Sequence, residues 1–411
     1  MGGALSKTAI GLTFLHRISI LTRMIPRLLE KKIRTLCAQF PIITLVGPRQ
    51  AGKSTLAKMA FPSHAYVSLE NPALLSRALD DPLEFLTQYP QGVIIDEAQR
   101  APQLFSYLQE IVDTEKKMGH YILTGSQNFL LFSKISQSLA GRVGLLTLLP
   151  FSISELPTPL PKLNTLLWQG CYPPLYDRNI PAPDWYPSYI QTYIERDIRQ
   201  SINIQDLHTF HRFLRLCAGR VGQLINFTDL ANDVGISRNT VKAWLSVLEA
   251  SYIIYFLNPY HENFSKRVIK QSKLYFYDTG LAASLLEIHK PDDINTHFAR
   301  GPLFENLIVS EVYKAFSHQG RIPKLSFWRD HSGKEVDLII ESGTTLSIIE
   351  MKSGLTVTAS QLSQLTYFKT LAPPDQIRQA YLVYGGDEAY KWKDIHVTGW
   401  QQAITQITEN L

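Results

Sequence analysis

Residues 42–55 read Ile-Ile-Thr-Leu-Val-Gly-Pro-Arg-Gln-Ala-Gly-Lys-Ser-Thr, and the rest of the N-terminal half is interpreted around them. The apolar, β-branched run 42–46 predicts a buried strand. From Gly47 to Ser54 the sequence fits the pattern G-x-x-x-x-G-K-[ST] without a mismatch. The glycines let the backbone curl so that successive N–H groups point at a phosphate, and the following helix adds the positive end of its dipole. The stretch therefore predicts a nucleotide-binding loop between a strand and a helix.

This loop predicts ATP and Mg²⁺ as ligands. Lys53 is expected to reach the β- and γ-phosphates, and the Ser54 hydroxyl to hold the Mg²⁺ ion. The other expected nucleotide contacts are Gly47, Pro48, Arg49, Gln50, Ala51, Gly52 and Thr55. A chance match is the alternative, and the strand before the loop and the helix-forming run after it argue against chance.

The bulk composition bounds the class of protein. A chain of 411 residues predicts two or three domains, and 45% hydrophobic with 19% charged residues is typical of a soluble globular protein. The net charge of +5 permits a nucleic-acid partner without requiring one. Three scattered cysteines suggest neither a disulfide framework nor a zinc site, which favours a reducing, cytoplasmic compartment. The sequence has no run of 18 apolar residues, so we expect no transmembrane helix and no membrane partner.

Residues 1–23 are interpreted separately. Ile10–Thr22 is faintly like a signal peptide, but His16 and Arg17 interrupt its apolar core, and residues 1–6 match a short myristoylation pattern. We expect 1–23 to be an extension, upstream of a start at Met24, that lies outside the folded domains.

Strand and helix patterns alternate after the phosphate loop. Together with 42–46, the predicted strands are 66–69, 92–97, 121–126 and 144–149, and the predicted helices are 24–40, 54–59, 74–89 and 103–117. This alternation predicts an α/β fold with a parallel sheet and helices on both faces. The first domain is expected over 24–165, where a proline-rich stretch closes it.

Two further strand ends carry polar residues. Asp96 is expected in the Mg²⁺ shell, and Glu97 is expected to orient or deprotonate the attacking water, although two solvated acids at a strand end are the alternative. Ser126 is preferred over Thr124 and Gln127 as a side chain near the γ-phosphate or the water. Arg142 is a candidate charge-stabilising arginine, in cis or across a subunit interface, or else a surface charge.

Several motifs accompany the phosphate loop: Ile-Ile-Asp-Glu-Ala-Gln, Leu-Thr-Gly-Ser and Leu-Ala-Gly-Arg-Val nearby, and 193–198, 275–281 and 301–306 downstream. With these motifs the chain resembles the prokaryotic AAA-type ATPases that carry a C-terminal DUF4143 domain. The resemblance covers nearly everything from Met24 onwards. It implies ATP binding by the loop residues and Asp96-Glu97, but it does not identify the arginine that completes the site.

The region 166–290 contains a predicted helix-turn-helix over 228–245. Thr228 is expected to cap the first helix, Gly235 to form the turn and Ser237 to cap the second helix. Strands at 253–257 and 273–277 would form a wing. The second helix offers Arg238, Asn239 and Lys242 to a DNA groove, whereas a packing module is the alternative.

The C-terminal region 298–411 resembles a PD-(D/E)xK nuclease core. Glu350 and Lys352 are two residues apart on a predicted strand and so share one face, and Asp337 lies on the neighbouring strand. Two carboxylates bind Mg²⁺, and a lysine beside them steadies a hydroxide. Glu305, on a predicted helix, would be a third acid, and Gln361 is a weaker member. A hairpin with charged outer faces is the alternative, and nuclease activity is a separate question from the fold.

These observations predict an ATP-hydrolysing, Mg²⁺-dependent AAA-type protein that couples its ATP cycle to a nucleic-acid or protein partner, and that can form a homo-oligomer. One alternative is an ATP-dependent DNA nuclease that uses the C-terminal cluster. Another is a non-enzymatic binding switch, against which the intact Asp96-Glu97 pair argues.

Overall fold

The structure is a computed structural model that describes residues 24–126, 139–195, 206–260, 270–373 and 375–409. The predictions for the extension 1–23 and for Gln127 fall outside these ranges, as does part of the 193–198 motif. Within them, no helix combines the length and the apolar character needed to cross a membrane.

The N-terminal sheet consists of five parallel strands. They are β1 (Ile42–Val46), β2 (Ala65–Ser68), β3 (Val93–Asp96), β4 (Tyr121–Gly125) and β5 (Val143–Thr147). Their order is β2-β3-β4-β1-β5, and each neighbouring pair is parallel. Because parallel strands end at the same edge, the residues that follow β1, β3 and β4 meet there. The predicted parallel α/β sheet is confirmed.

Helices cover both faces of this sheet, as predicted. Their bounds are Leu29–Cys37, Lys53–Ala60, Pro72–Asp80, Pro82–Thr87 and Leu104–Glu115, with a short 3₁₀ turn at Ala98–Arg100. Side chains of β1 alternate between two cores: Ile42 and Val46 pack on the face covered by the helix 104–115, and Ile43 packs on the opposite face. All of β1 is buried, as expected for a parallel strand covered on both sides.

The first helix is shorter than predicted. It begins at Leu29 instead of near residue 24. Pro26 accounts for the absence of helix at Ile25, because proline disfavours helical geometry at the residue before it. Residues 24–28 precede the helix, and the Arg27 side chain is buried.

The middle segment is mostly helical. Its helices are Leu163–Gln169, Pro174–Asp177, Ala182–Tyr189, a π-helical turn at Ile190–Glu195, Leu207–Ala218, Phe227–Val234, Arg238–Ala250 and Thr279–Leu285, with 3₁₀ turns at Ile153–Glu155 and Pro291–Asn295. The two helices predicted within 228–245 are Phe227–Val234 and Arg238–Ala250: Gly235 ends the first at φ 82°, and Ser237 caps the second by accepting from Thr240 N at 3.0 Å. Asn226, and not the predicted Thr228, caps the first helix, because its side chain accepts from Thr228 N.

An eight-stranded sheet joins the middle segment to the C-terminal region. Its strands are β6 (Ile254–Pro259), β7 (Lys273–Phe276), β8 (Leu325–Arg329), β9 (Glu335–Ser342), β10 (Thr345–Lys352), β11 (Ile377–Tyr384), β12 (Ala389–Trp392) and β13 (Ile395–Gly399). The order is β12-β13-β11-β10-β9-β8-β6-β7. Strands β6 and β7 form the antiparallel pair predicted for a wing. The flanking helices are Arg300–His318, Ser363–Leu371 and Trp400–Glu409, with a 3₁₀ turn at Ala359–Leu362.

Candidate functional site

The phosphate loop leaves β1 in a conformation that only glycine adopts readily. Gly47 has φ 145°, and a Cβ atom there would lie 2.0 Å from the Leu148 carbonyl oxygen. Gly52 has φ 91° at the start of the helix Lys53–Ala60. The two predicted glycines are therefore required by the backbone.

Lys53 and Ser54 have different hydrogen-bond partners. Lys53 is buried, and its ammonium donates to the carbonyls of Gly47 at 2.9 Å and Pro48 at 2.7 Å. Burial lowers the pKa of Lys53 to about 8, while the charges of Glu97 and Asp96 oppose this change. The Ser54 hydroxyl donates to Asp96 Oδ2 at 2.9 Å. The structure thus brings the predicted Mg²⁺ ligands together.

Asp96 collects hydrogen bonds from three elements. Besides Ser54, the Tyr66 hydroxyl of the neighbouring strand β2 donates to Oδ2 at 2.7 Å. The Thr124 hydroxyl of β4 donates to Oδ1. Three hydroxyl groups, from Ser54, Tyr66 and Thr124, thus donate to this one carboxylate. Thr124, which the sequence ranked below Ser126, therefore also belongs to this site, and Tyr66 was not predicted.

Glu97 lies beside Asp96 in a left-handed conformation with φ 55°, which is uncommon for a residue other than glycine. Its Oε2 atom accepts from Gln99 Nε2 at 2.5 Å and from the Ser126 hydroxyl at 3.2 Å. Burial raises the pKa of Glu97, and the charges of Lys53 and Arg49 oppose this rise. The preferred Ser126 therefore contacts the predicted water-activating carboxylate.

The remaining predicted nucleotide contacts differ in exposure and in their partners. Arg49 lies with its guanidinium 5.3 Å from the centroid of the Tyr193 ring. Gln50 and Thr55 are exposed, and Gln50 has φ 62°. The Pro48 and Ala51 carbonyls accept hydrogen bonds.

Arg27 clamps the loop to the end of the sheet, which the sequence did not predict. Its guanidinium donates to Ala51 O at 2.6 Å, to Leu149 O at 2.7 Å and to Glu155 Oε1 at 3.0 Å. It also lies 4.7 Å from the centroid of the Phe151 ring. Burial alone would raise the pKa of Glu155, but Arg27 and the backbone donor outweigh it and lower this pKa.

Arg142 lies away from this site. It precedes β5, whose first residue pairs with Ile42, the first residue of β1. The phosphate loop leaves the other end of β1, about 13 Å away at 3.3 Å per residue. Arg142 instead donates to Asp113 at 2.6 and 2.7 Å. The prediction that Arg142 acts at the phosphate loop of its own chain is therefore wrong. A role across a subunit interface stays a prediction.

The C-terminal residues form a cluster where β9 and β10 separate. The pairing of β9 with β10 ends at Ile349 opposite Leu338, and the Asp337 carboxylate then accepts from Met351 N at 2.8 Å. Glu350 accepts from Lys352 Nζ at 2.5 Å. Ligand oxygens of Glu305, Glu335 and Asp337 lie within 4.8 Å of one another.

The acids of this cluster have raised pKa values, which reflect burial and mutual repulsion. Burial raises the pKa of Glu350, and the charge of Asp337 adds to this rise. Burial also raises the pKa of Glu305, against the opposing charge of Lys273. The pKa of Asp337 is raised by burial as well. Such a set of oxygen donors suits a hard divalent cation.

Three members of this cluster were not predicted. Lys273 contacts both Glu305, at 2.7 Å, and Glu335, and the Tyr275 hydroxyl donates to Glu305. Glu335 is two residues before Asp337, so the alternation that grouped Glu350 with Lys352 also identifies it. Lys273 and Tyr275 show the same spacing on β7.

Gln361 was predicted as a weaker member of this cluster, but its side chain forms a cap instead. Its side-chain oxygen accepts from Thr358 N at 2.8 Å and closes a capping box at the start of the 3₁₀ turn Ala359–Leu362.

Three segments of the chain match known domain families. Residues 39–157 match an AAA domain, and residues 300–403 match a domain of unknown function, DUF4143. Residues 160–292 match another domain of unknown function, DUF8612.

Similar proteins extend along most of the chain. Two uncharacterised proteins, from Mycobacterium bovis and Mycobacterium tuberculosis, are each 29% identical over 392 residues, which is 92% of this chain and 86% of the relative. A solved structure of a Walker-type ATPase of Pyrococcus abyssi superposes with a TM-score of 0.43 at 15% identity, over 64% of this chain and 96% of that chain. Residues 39–157 are therefore similar to AAA domains, and residues 300–403 are similar to DUF4143 domains.

Proposed function

We propose that the P-loop domain binds ATP with Mg²⁺ and hydrolyses it. The observation that carries this proposal is the contact of 2.9 Å between the Ser54 hydroxyl and Asp96, directly beside the phosphate loop. A hydroxyl and a carboxylate are hard oxygen ligands that fit Mg²⁺, which would neutralise charge on the phosphate oxygens. Lys53 would exchange its carbonyl partners for the β- and γ-phosphates.

In this proposal Glu97 acts on the attacking water. Burial raises its pKa, which brings a carboxylate closer to the range of an effective general base. Gln99 and Ser126 hold its Oε2 atom, so one carboxylate oxygen is fixed in position. The left-handed backbone of Glu97 is a strained conformation of the kind found at functional sites.

Titration with a fluorescent ATP analogue in the presence of Mg²⁺ tests nucleotide binding. Lys53→Ala should bind the analogue at least about tenfold more weakly, since it loses the cation placed on the phosphates. Lys31→Ala, an exposed lysine on the helix Leu29–Cys37, is the matched control and should bind like the wild type. Unchanged affinity in a folded Lys53→Ala variant would contradict the proposal.

A second candidate function is metal-dependent DNA cleavage by the C-terminal cluster. The observation that favours it is the position of Asp337. Where β9 and β10 separate, its carboxylate accepts from Met351 N, between Glu350 and Lys352 in the sequence. The region runs helix, antiparallel β8-β9-β10, helix and then β11 parallel to β10, an order that supports the resemblance to PD-(D/E)xK nucleases. Asp337, Glu350 and Glu305 would hold the ion, and Lys352 would steady a hydroxide.

Cleavage of single-stranded, double-stranded and branched DNA with Mn²⁺ tests this function. Asp337→Asn should remove cleavage, whereas Asp387→Asn, an exposed acid after β11, should keep it. Mn²⁺ binding without cleavage of any DNA form would leave the cluster as a metal site in a domain used for binding.

We further propose that the helix-turn-helix and the β6–β7 hairpin form a winged helix that contacts DNA. Arg238, Asn239 and Lys242 are exposed on its second helix, as groove contact requires. The ATP cycle would then be coupled to a nucleic-acid partner. A protein partner and a homo-oligomer stay predictions.

A further inference from the structure

Lys273 lies at the centre of the C-terminal acids although it belongs to the middle hairpin. The residue is 2% exposed. Its ammonium is 2.7 Å from Glu305 Oε1 and also contacts Glu335 Oε1. It thus joins a carboxylate from the helix Arg300–His318 to one from β9, and ligand oxygens of both acids lie close to Asp337.

Glu350 provides an independent sign that this cluster takes a cation. The residue is 3% exposed, and its Oε1 atom accepts from Lys352. Its Oε2 atom is buried and has no hydrogen-bond partner among the residues that the structure describes. A buried carboxylate oxygen without a donor is destabilising, and a divalent cation with oxygen ligands would stabilise it.

The charges of the cluster place Lys273 and a divalent ion in competition. Glu305, Glu335, Asp337 and Glu350 contribute four negative charges when ionised. Lys273, Lys352 and Arg329, which lies 3.1 Å from Glu335, contribute three positive charges. A divalent ion added beside Lys273 would make the buried site positive, whereas an ion that replaces Lys273 would make it neutral.

The hairpin that carries Lys273 pairs with the C-terminal sheet over a short stretch. Strand β6 pairs with β8 at only two positions, Asn258 with Ser326 and Pro259 with Phe327. Lys273 lies at the first position of β7, 5.5 Å from the centroid of the Phe327 ring. Because Lys273 belongs to β7 and its side chain is a flexible four-carbon stem, a movement of its ammonium requires no change in the pairing of β8, β9 and β10.

We propose that Lys273 is a built-in counter-cation of the carboxylate cluster, and that a divalent metal ion binds there by displacing its ammonium. The inference rests on the proposed metal site. It makes the middle hairpin a determinant of metal affinity, since β7 carries the competing charge.

Mn²⁺ binding to the full-length, nucleotide-free protein, followed by the electron paramagnetic resonance signal of free Mn²⁺, tests the competition. Lys273→Met keeps the length of the side chain without its charge and should bind Mn²⁺ at least tenfold more tightly than the wild type. Lys273→Arg keeps the charge and should show no gain. Adding Asp337→Asn to Lys273→Met should remove the gain, which locates the site.

Acetylation of the wild type, read by mass spectrometry, keeps the proposal testable should Lys273→Met fail to fold. Mn²⁺ should accelerate acetylation of Lys273 but not of Lys314, a lysine equally buried and paired with Glu311 at 2.7 Å. Mn²⁺ bound to the wild type with Lys273 still protected, or a folded Lys273→Met without tighter binding, would overturn this inference alone. No Mn²⁺ binding in any variant would overturn the metal site together with it.

Discussion

Replacement of Arg27 by methionine should loosen the phosphate loop. The change removes a buried guanidinium that donates to Ala51 O, Leu149 O and Glu155, and it leaves the Glu155 carboxylate, whose side chain is 0% exposed, without its cation. Removing one partner of a buried ion pair costs about 3–5 kcal/mol. Glu155 keeps backbone donors at Leu28 and Ser152, so we expect the lower part of this range.

Hydrogen exchange over residues 42–60 measures this loss locally, which a global unfolding curve of a multidomain protein does not. Arg34→Met, on the helix Leu29–Cys37 that follows Arg27, is the matched control. Arg34 pairs with Glu30 at 2.8 Å but is largely exposed, so its loss should cost at most about 0.5 kcal/mol. Adding Glu155→Gln to Arg27→Met should recover part of the loss, because no unpaired buried charge remains. Wild-type exchange rates in Arg27→Met would refute the clamp.

Two further changes test residues that the sequence singled out. Arg142→Ala should leave ATP turnover unchanged at low protein concentration, because Arg142 pairs with Asp113 at the opposite edge of the sheet; a loss of turnover that grows with protein concentration would show a role across a subunit interface. Arg238→Glu with Lys242→Glu should weaken DNA binding and reduce its salt dependence, since fewer phosphate contacts release fewer counterions; unchanged binding at every salt concentration would make the helix-turn-helix a packing module.

The approach of Ser54 to Asp96 was predictable because both residues follow from one topological rule. The loop after β1 and the acids at the end of β3 lie at the same edge once the strands are parallel, and with only β4 between these strands Ser54 can reach Asp96. The strands themselves were marked by short apolar runs. Likewise, the spacing of two residues that pairs Glu350 with Lys352 follows from strand geometry alone.

The clamp and the counter-cation were not predictable from such rules. Arg27 binds the main-chain carbonyls of Ala51 and Leu149, which carry no sequence signature and lie 24 and 122 residues away. Lys273 reaches Glu335 because the middle hairpin approaches the C-terminal sheet, a tertiary arrangement that no local pattern encodes. The helix Phe227–Val234 is capped by Asn226 instead of the predicted Thr228 for a local reason. Both residue types are suitable caps, and only their backbone conformations distinguish them.

The most direct test of the proposed ATPase is phosphate release by Glu97→Gln with saturating Mg²⁺-ATP. The amide keeps the shape of the side chain and loses the base, so the rate should fall about 10²–10⁴-fold. ATP should stay bound, because Lys53 and Ser54 are unchanged. Glu110→Gln, an exposed acid on the helix Leu104–Glu115, should release phosphate like the wild type. Phosphate release by Glu97→Gln at the wild-type rate would contradict the assignment of Glu97 to the attacking water.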